Sequence, residues 1–334
     1  MSITRRQFLE QMGLAAGGLA LAGLAGCAPR SKTLEKLLIQ APASPPSVAL
    51  AKLVHDRAFE GLAGSAEFAL WKDPDELRGR ITGGQAHISG LSVNVAATLY
   101  NKGLGVKLTS VYIWGILYVV SADPNIRAWA DLKGQELLIP FKGDLPDILG
   151  QLLMQQRGLE LGKDIQPRYV SAAPEAAGLL AAGQARHAIL SEPSATLAFL
   201  KAKEAGVALY RVIDMQKDWA AVTGRPARLP MAGVVVLPGL AQDHPQILQR
   251  LRAKHAEAVA WVRQNPAEAA RLGATYIPTM PEAAMAASMP YIQLEYVDAA
   301  AARPEIEFFF QQLARLSPAL YGNALPDDKF YAAS

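Results

Sequence analysis

The stretch GQAHISGLS, residues 84–92, has a counterpart further along the chain in GQARHAILS, residues 183–191. Aligned without gaps, the two share glycine, glutamine, alanine, leucine and serine at the same positions. Each begins where a helical pattern ends, continues as a short apolar strand, and finishes on a serine before another helical pattern. The match predicts two α/β lobes built on one plan, although chance or the ordinary need for glycine between a helix and a strand would also produce it.

Strand and helix patterns alternate outward from these two stretches in both directions. Segments with helical periodicity separate short apolar runs at residues 36–40, 67–71, 136–140 and 232–237. Such alternation is typical of βαβ units and predicts the α/β class, with mostly parallel sheets flanked by helices. Beyond the last of these runs the chain is predicted to be helical, over residues 244–265, 266–272, 281–289 and 304–316.

The composition suits a folded globular protein, because 51% of the residues are hydrophobic, 19% are charged, and the formal net charge is +3. The chain has no basic run, which argues against nucleic acid as a partner. Its five histidines have no metal-ligand spacing, and there is no GxSxG nucleophile motif or phosphate-binding glycine loop. The sequence therefore predicts a protein that is not an enzyme and that holds neither a metal nor a cofactor.

The amino-terminal residues predict an export signal. Arg5 and Arg6 precede an uncharged, glycine-rich apolar stretch, and this pair is typical of a twin-arginine signal. The motif LAGC, which ends at Cys27, resembles a bacterial lipobox, in which the cysteine carries a diacylglycerol. Cys27 is the only cysteine of the chain, and an incidental thiol is the alternative. We expect a signal peptide over 1–26, a lipidated tether over 27–33, and a periplasmic protein anchored to a membrane.

Ligands of open α/β sheets bind outside the carboxyl ends of the strands, where helix N-termini present free N–H groups. Four loops of the chain meet that description and predict one site between the two lobes. A tryptophan that ends an apolar strand is either a core residue or an aromatic wall at the hinge. The predicted ligand-binding residues are Ser44, Ser47, Ser89, Ser92, Asn94, Trp114, Lys142, Gly143, Asp144 and Glu192.

Each of these residues also has a plain structural interpretation. Serine and aspartate are common helix caps, and capping alone would explain most of the serines and Asp144. Lys142 is otherwise an ordinary surface lysine. Glu192 ends a buried strand, where a carboxylate is costly without a partner, and this cost favours a place for Glu192 in the cleft.

Taken in order, these segments resemble the periplasmic substrate-binding proteins of ABC importers, in the nitrate, sulfonate and taurine-like branch. The resemblance is carried by GGQAHISGLSVNVAATLYNKG, ADLKGQELLIPFKGDLPDILGQLLMQQRGL and YVSAAPEAAGLLAAGQARHAILSEPSAT. It implies the type II binding-protein fold, a monomer with two lobes and two hinge crossings. Lobe 1 would comprise residues 34–114 and 237–334, and lobe 2 would comprise residues 115–236.

The same resemblance implies a receptor that holds a small ligand between its lobes and delivers it to an ABC permease in the membrane. Helix N-termini and Lys142 favour a small organic anion, such as a sulfonate or a carboxylate. Glu192 argues for a ligand that also carries a hydrogen-bond donor, so a zwitterion or a neutral heterocycle such as a pyrimidine precursor stays open. Two competing functions are a sensory receptor that docks to a membrane kinase and an exported enzyme that acts on such a compound.

Overall fold

Two mixed sheets flanked by helices make up the part of the chain that the computed structural model describes, residues 33–72 and 74–332. The predicted export signal and most of the tether, with Cys27, lie outside these residues. The strands are β1 (Leu34–Pro42), β2 (Ala63–Trp71), β3 (Ile88–Ser92), β4 (Lys107–Gly115), β5 (Leu117–Ser121), β6 (Glu136–Pro140), β7 (Gln166–Val170), β8 (His187–Ser191), β9 (Tyr210–Asp214), β10 (Ala232–Val236) and β11 (Gln293–Asp298). The α-helices are α1 (Val48–His55), α2 (Pro74–Thr82), α3 (Val93–Leu99), α4 (Leu145–Gln156), α5 (Ala173–Ala181), α6 (Ser194–Glu204), α7 (Met215–Thr223), α8 (Pro238–Asp243), α9 (Pro245–Gln264), α10 (Pro266–Tyr276), α11 (Glu282–Ser288) and α12 (Ala299–Leu313).

Among the described residues, the first sheet has the strand order β11-β4-β10-β3-β1-β2 and the second has the order β7-β6-β8-β5-β9. β1 pairs in parallel with β2 and β3, and β6 pairs in parallel with β7 and β8. The remaining pairs are antiparallel. The predicted two-lobed α/β fold is confirmed. Its sheets are mixed, because β10 and β11 run opposite to the other four strands of the first sheet and β5 runs opposite to the other four strands of the second.

Within the described residues, the chain passes between the sheets twice. It leaves the first sheet at Gly115, the last residue of β4, and returns to β10 after α7. The returning segment bonds to the outgoing one: the N–H of Leu229 donates to the carbonyl oxygen of Trp114 at 3.0 Å, and the N–H of Met231 donates to that of Ile113 at 3.0 Å. The two hinge crossings therefore lie side by side.

The second sheet ends one strand earlier than the predicted end of lobe 2. β10 falls within the range 115–236, yet it pairs with β3 and β4 and so belongs to the sheet of lobe 1. The close fit of β10 against β4 requires Gly233, since a Cβ there would lie 2.2 Å from the carbonyl oxygen of Ser110. An apolar run read from sequence does not tell which of two sheets it joins, and the boundary was wrong for that reason.

Three elements of the later part of the chain differ from the sequence prediction. The sequence patterns predicted neither α7 nor the edge strand β11. α12 begins at Ala299, where the Asp298 carboxylate accepts from the N–H of Ala300 at 3.1 Å. Pro304, predicted to start this helix, lies inside it. The N-cap side chain therefore marks the start of this helix better than its proline does.

The two lobes also pack directly against each other beside the crossings. Trp219 of α7 lies edge-on to Phe308 and Phe309 of α12, with ring centroids 5.8 and 5.9 Å apart. A single buried hydrophobic cluster contains side chains of both sheets, such as Leu37 and Leu137. Fully burying a large apolar side chain contributes about 1.5–3 kcal/mol. Packing of α12 on lobe 2 therefore stabilises the junction between the lobes.

Candidate functional site

The carboxyl ends of the parallel strands lie next to the first crossing in both sheets. Pro42 and Trp71, which end β1 and β2, are paired, and β4 ends at Gly115 along the same edge of the first sheet. In the second sheet, Ser191 at the end of β8 pairs with Leu117 at the start of β5. We call these two edges the crossing edges. The loops that follow β1, β2, β3, β6 and β8 all leave from them.

Ser44 and Ser47 stabilise the loop after β1 instead of capping a helix. Ser47 is fully buried, and its Oγ donates to the carbonyl oxygen of Pro42 at 2.7 Å. The hydroxyl oxygens of the two serines lie 3.1 Å apart, and neither side chain caps the described helical turns that follow. Ser44 is partly exposed. Of the two, it is the one with an accessible surface for a solute.

The segment formed by β3 and the start of α3 has one accessible and two engaged polar side chains. Ser89 is buried and accepts from Nε2 of Gln40 at 2.9 Å. Asn94 donates from Nδ2 to the carbonyl oxygen of Leu320 at 3.2 Å, and its Oδ1 is buried with no partner among the described residues. Ser92 is partly exposed and occupies the N-cap position of α3 without capping any N–H of that helix. Of these three residues, Ser92 is therefore the best placed to meet a solute.

Trp114 is a packed residue of the hinge. It is 1% exposed, and its Nε1 donates to the carbonyl oxygen of Glu295 at 2.8 Å. The guanidinium of Arg228 lies 4.4 Å from the indole ring and binds the carboxylates of Glu295 and Glu305 at 2.6 Å each. These contacts connect both crossings to β11 and α12. Of the two interpretations of Trp114, the structure favours the core.

The loop after β6 is held by its own hydrogen bonds. The N–H of Gly143, which has a φ of +80°, donates to Oδ2 of the buried Asp147 at 2.8 Å. Asp144 occupies the N-cap position of α4 but caps no N–H of that helix. Lys142 is exposed, and its Nζ lies 4.9 Å from the centroid of the Tyr169 ring. The loop thus presents a cation beside the N-terminus of α4.

Asp144 is influenced by a charge from the other lobe. Burial raises the pKa of Asp144 above its usual value, Arg78 of α2 lowers that pKa, and Asp147 raises it. Arg78 lies on α2, which follows β2 in lobe 1, and Asp144 precedes α4, which follows β6 in lobe 2. Arg78 also pairs with Asp75 at 2.8 Å. Each lobe thus has a cation in the segment that follows its crossing edge, Arg78 in lobe 1 and Lys142 in lobe 2.

Glu192 is buried and engaged inside the protein, although its sequence position predicted that it would face the ligand. Its Oε1 accepts from Nε and Nη2 of Arg211 at 3.1 and 2.5 Å, and its Oε2 accepts from the N–H of Thr196 at 3.2 Å. The Arg211 guanidinium also stacks on Tyr291, 3.5 Å from the ring centroid. Sequence reasoning missed Arg211 and Tyr291 because they come from β9 and from the segment before β11, and no local pattern links them to Glu192.

Two structural features are absent from residues 33–72 and 74–332. No three of their His, Cys, Asp and Glu side chains are grouped so as to hold a metal ion. None of their helices combines the length and the apolar character needed to cross a membrane. What the crossing edges do offer is hydroxyl groups, two cations and helix N-termini, which suit anionic or polar solutes.

No protein-family model and no curated protein matches the chain. Solved structures do match. An ABC transporter protein from Parabacteroides distasonis has a TM-score of 0.71 at 22% identity, over 90% of this chain and 99% of the other. The periplasmic aliphatic sulphonate binding protein SsuA from Escherichia coli has a TM-score of 0.67 at 17% identity, over 86% and 96%. The periplasmic nitrate-binding protein NrtA from Synechocystis PCC 6803 has a TM-score of 0.63 at 13% identity, over 90% and 84%.

These similarities confirm the fold that the sequence resemblance implied, that of the periplasmic binding proteins of ABC transporters. The matches extend over most of each chain, so they include both sheets and both crossings. At sequence identities of 13–22%, the TM-scores of 0.63–0.71 establish a shared fold. The choice of solute depends on the residues at the crossing edges.

Proposed function

We propose that this chain is the extracytoplasmic solute-binding component of an ABC importer. The observation that carries the proposal is the fold, two α/β lobes joined by two adjacent crossings, which resembles solved binding proteins. Loops of both lobes leave from the crossing edges. A solute held there favours the closed state through its differential affinity, and no covalent bond is made or broken. The closed receptor then delivers the solute to a permease.

The solute in this proposal is a small organic anion with a sulfonate or carboxylate head. Lys142 and Arg78 supply positive charge, and α4 begins at the crossing edge with N–H groups that favour anions. Glu192 was the reason to consider a zwitterion or a neutral heterocycle as the solute. Arg211 neutralises the charge of Glu192, and this favours an anion instead. Two of the similar solved proteins bind aliphatic sulphonates and nitrate, which are also anions.

The proposed location is outside the cytoplasm, with the receptor anchored to a membrane as a monomer. Arg5 and Arg6 support export by the twin-arginine route, and the LAGC motif supports lipidation of Cys27. Burial of acyl chains contributes about 0.8 kcal/mol per CH₂, and a single chain gives only marginal binding. The diacylglycerol of a lipobox cysteine would therefore provide a stable anchor.

Thermal unfolding of the mature chain with candidate solutes tests this function. We expect a bound sulfonate or carboxylate, at about 100 times its dissociation constant, to stabilise the chain by about 2.7 kcal/mol. For a chain of this size that is a rise in Tm of about 4 °C. Zwitterions and neutral heterocycles form the comparison set. A response to these alone would contradict the anion assignment, and no response to any solute of either set would contradict the solute-binding function.

A further inference from the structure

Phe141 combines a backbone conformation and an exposure that are both unusual for phenylalanine. Its φ is +58°, in the left-handed region that bulky side chains rarely adopt. It is also 36% exposed, which makes it one of the exposed large hydrophobic residues of the described chain. Sequence reasoning missed Phe141, because positive φ is normally anticipated only for glycine, asparagine and aspartate.

The surrounding loop holds Phe141 in this conformation. The N–H of Phe141 donates to the carbonyl oxygen of Val170 at 3.1 Å, and the carbonyl oxygen of Phe141 accepts from the N–H of Asp144 at 2.9 Å. The hydrogen bond from the N–H of Gly143 to Oδ2 of Asp147 holds the peptide between Lys142 and Gly143 in place. Strain of this kind persists only where the surrounding structure determines it, and it is concentrated at functional sites.

The other non-glycine residues with positive φ in the described chain do not expose an aromatic side chain. The non-glycine residues with positive φ in that part are Arg57, Phe141 and Asn323. Asparagine tolerates the left-handed region, and Arg57 is an exposed polar residue between α1 and β2, at the opposite edge of the first sheet. Of these three residues, Phe141 alone combines a strained backbone with an exposed aromatic ring. It lies at a crossing edge, directly after β6 and next to Lys142.

We propose that the ring of Phe141 contacts the apolar part of the bound solute, so that the receptor selects organic anions with a hydrocarbon or aromatic body over the most compact ones. This inference rests on the proposed solute-binding function. Lys142 and Arg78 supply the charge for the anionic head, and Phe141 supplies the apolar contact. Trp71, which is partly exposed at the end of β2, places a second aromatic ring at the crossing edge of lobe 1. A mostly apolar wall with a few polar groups is typical of small-molecule sites.

The test compares Phe141→Gly with Arg57→Gly, which removes a similar backbone strain far from the crossing edges. Binding of benzenesulfonate and of methanesulfonate is measured by calorimetry on the mature chain, and Tm is measured without solute. We expect Phe141→Gly to weaken benzenesulfonate binding by about tenfold or more and methanesulfonate binding by less than about twofold. Its Tm should be unchanged or raised by about 2–4 °C. Arg57→Gly should leave both affinities unchanged.

Several results would overturn the inference. One is a Phe141→Gly variant that binds benzenesulfonate as tightly as the parent chain does. Another is a fall in its Tm by more than about 4 °C, which would show that the ring stabilises the fold. A parent chain that binds methanesulfonate at least as tightly as benzenesulfonate would contradict the selectivity while leaving the receptor function intact. A parent chain that binds neither, nor any solute of the wider panel, would remove the proposed function together with this inference.

Discussion

The ion pair between Arg211 and Glu192 predicts a large loss of stability when Arg211 is replaced. The side chain of Glu192 is 0% exposed and that of Arg211 is 17% exposed. Arg211→Met would leave the carboxylate buried without its cation, and breaking a buried pair in this way costs about 3–5 kcal/mol. The N–H of Thr196 still donates to Oε2 in the variant, which favours the lower end of that range.

Urea and thermal unfolding of the variants measure this loss. For Arg211→Met we expect a fall in Tm of about 5–8 °C. The double variant Glu192→Gln with Arg211→Met should recover much of the loss, because it also removes the buried charge. Arg168→Met is the matched control in the same lobe, since Arg168 pairs with Glu136 at 3.4 Å on the surface, and it should cost less than about 1 kcal/mol. The reasoning is refuted if Arg211→Met costs no more than this control, or if the double variant is no more stable than the single one.

Three further predictions concern the hinge, a buried histidine and the anchor. Gly115→Ala should destabilise the chain by about 1–3 kcal/mol in urea unfolding, because the new Cβ would lie 2.3 Å from Cγ of the buried Gln216; an unchanged midpoint would contradict this. Burial lowers the pKa of His255 from 6.5 to about 3, so the unfolded chain binds the proton first as the pH falls, and stability should drop by about 2 kcal/mol between pH 7 and pH 5. His255→Gln should remove that drop, and a pH profile identical to that of the parent would count against the assignment. Cys27→Ser should release the protein from the membrane fraction, and continued sedimentation with lipid would show that the anchor lies elsewhere.

Local sequence patterns predicted many of the elements closely. A helix was predicted over residues 244–265, and α9 spans Pro245–Gln264. A strand was expected over residues 136–140, and β6 spans the same five residues. Helical periodicity, apolar runs and residues suited to helix ends are encoded within a few positions of each other, so they can be read without knowing the fold.

The candidate site was less predictable than the elements. Ser92 and Lys142 do lie with accessible side chains at the crossing edges, as their loops indicated. Ser47, Ser89 and Trp114 face inward instead, and their burial depends on which helices and strands pack over them. Glu192 was expected in the cleft because a buried carboxylate needs a partner. The partner that the structure shows is Arg211 of β9, a residue distant in sequence.

The amino-acid sequence by itself determined the α/β class, the two lobes and the positions of the loops at the ends of the strands, because these follow from short-range periodicity and from residues suited to helix and strand ends. Only the tertiary structure decided that β10 joins the sheet of lobe 1, that Arg211 neutralises Glu192, and that Phe141 is exposed in a strained conformation. Each of these depends on contacts between segments distant in sequence. The free energy of such contacts comes from surfaces that are buried together, and no local pattern specifies which surfaces those are.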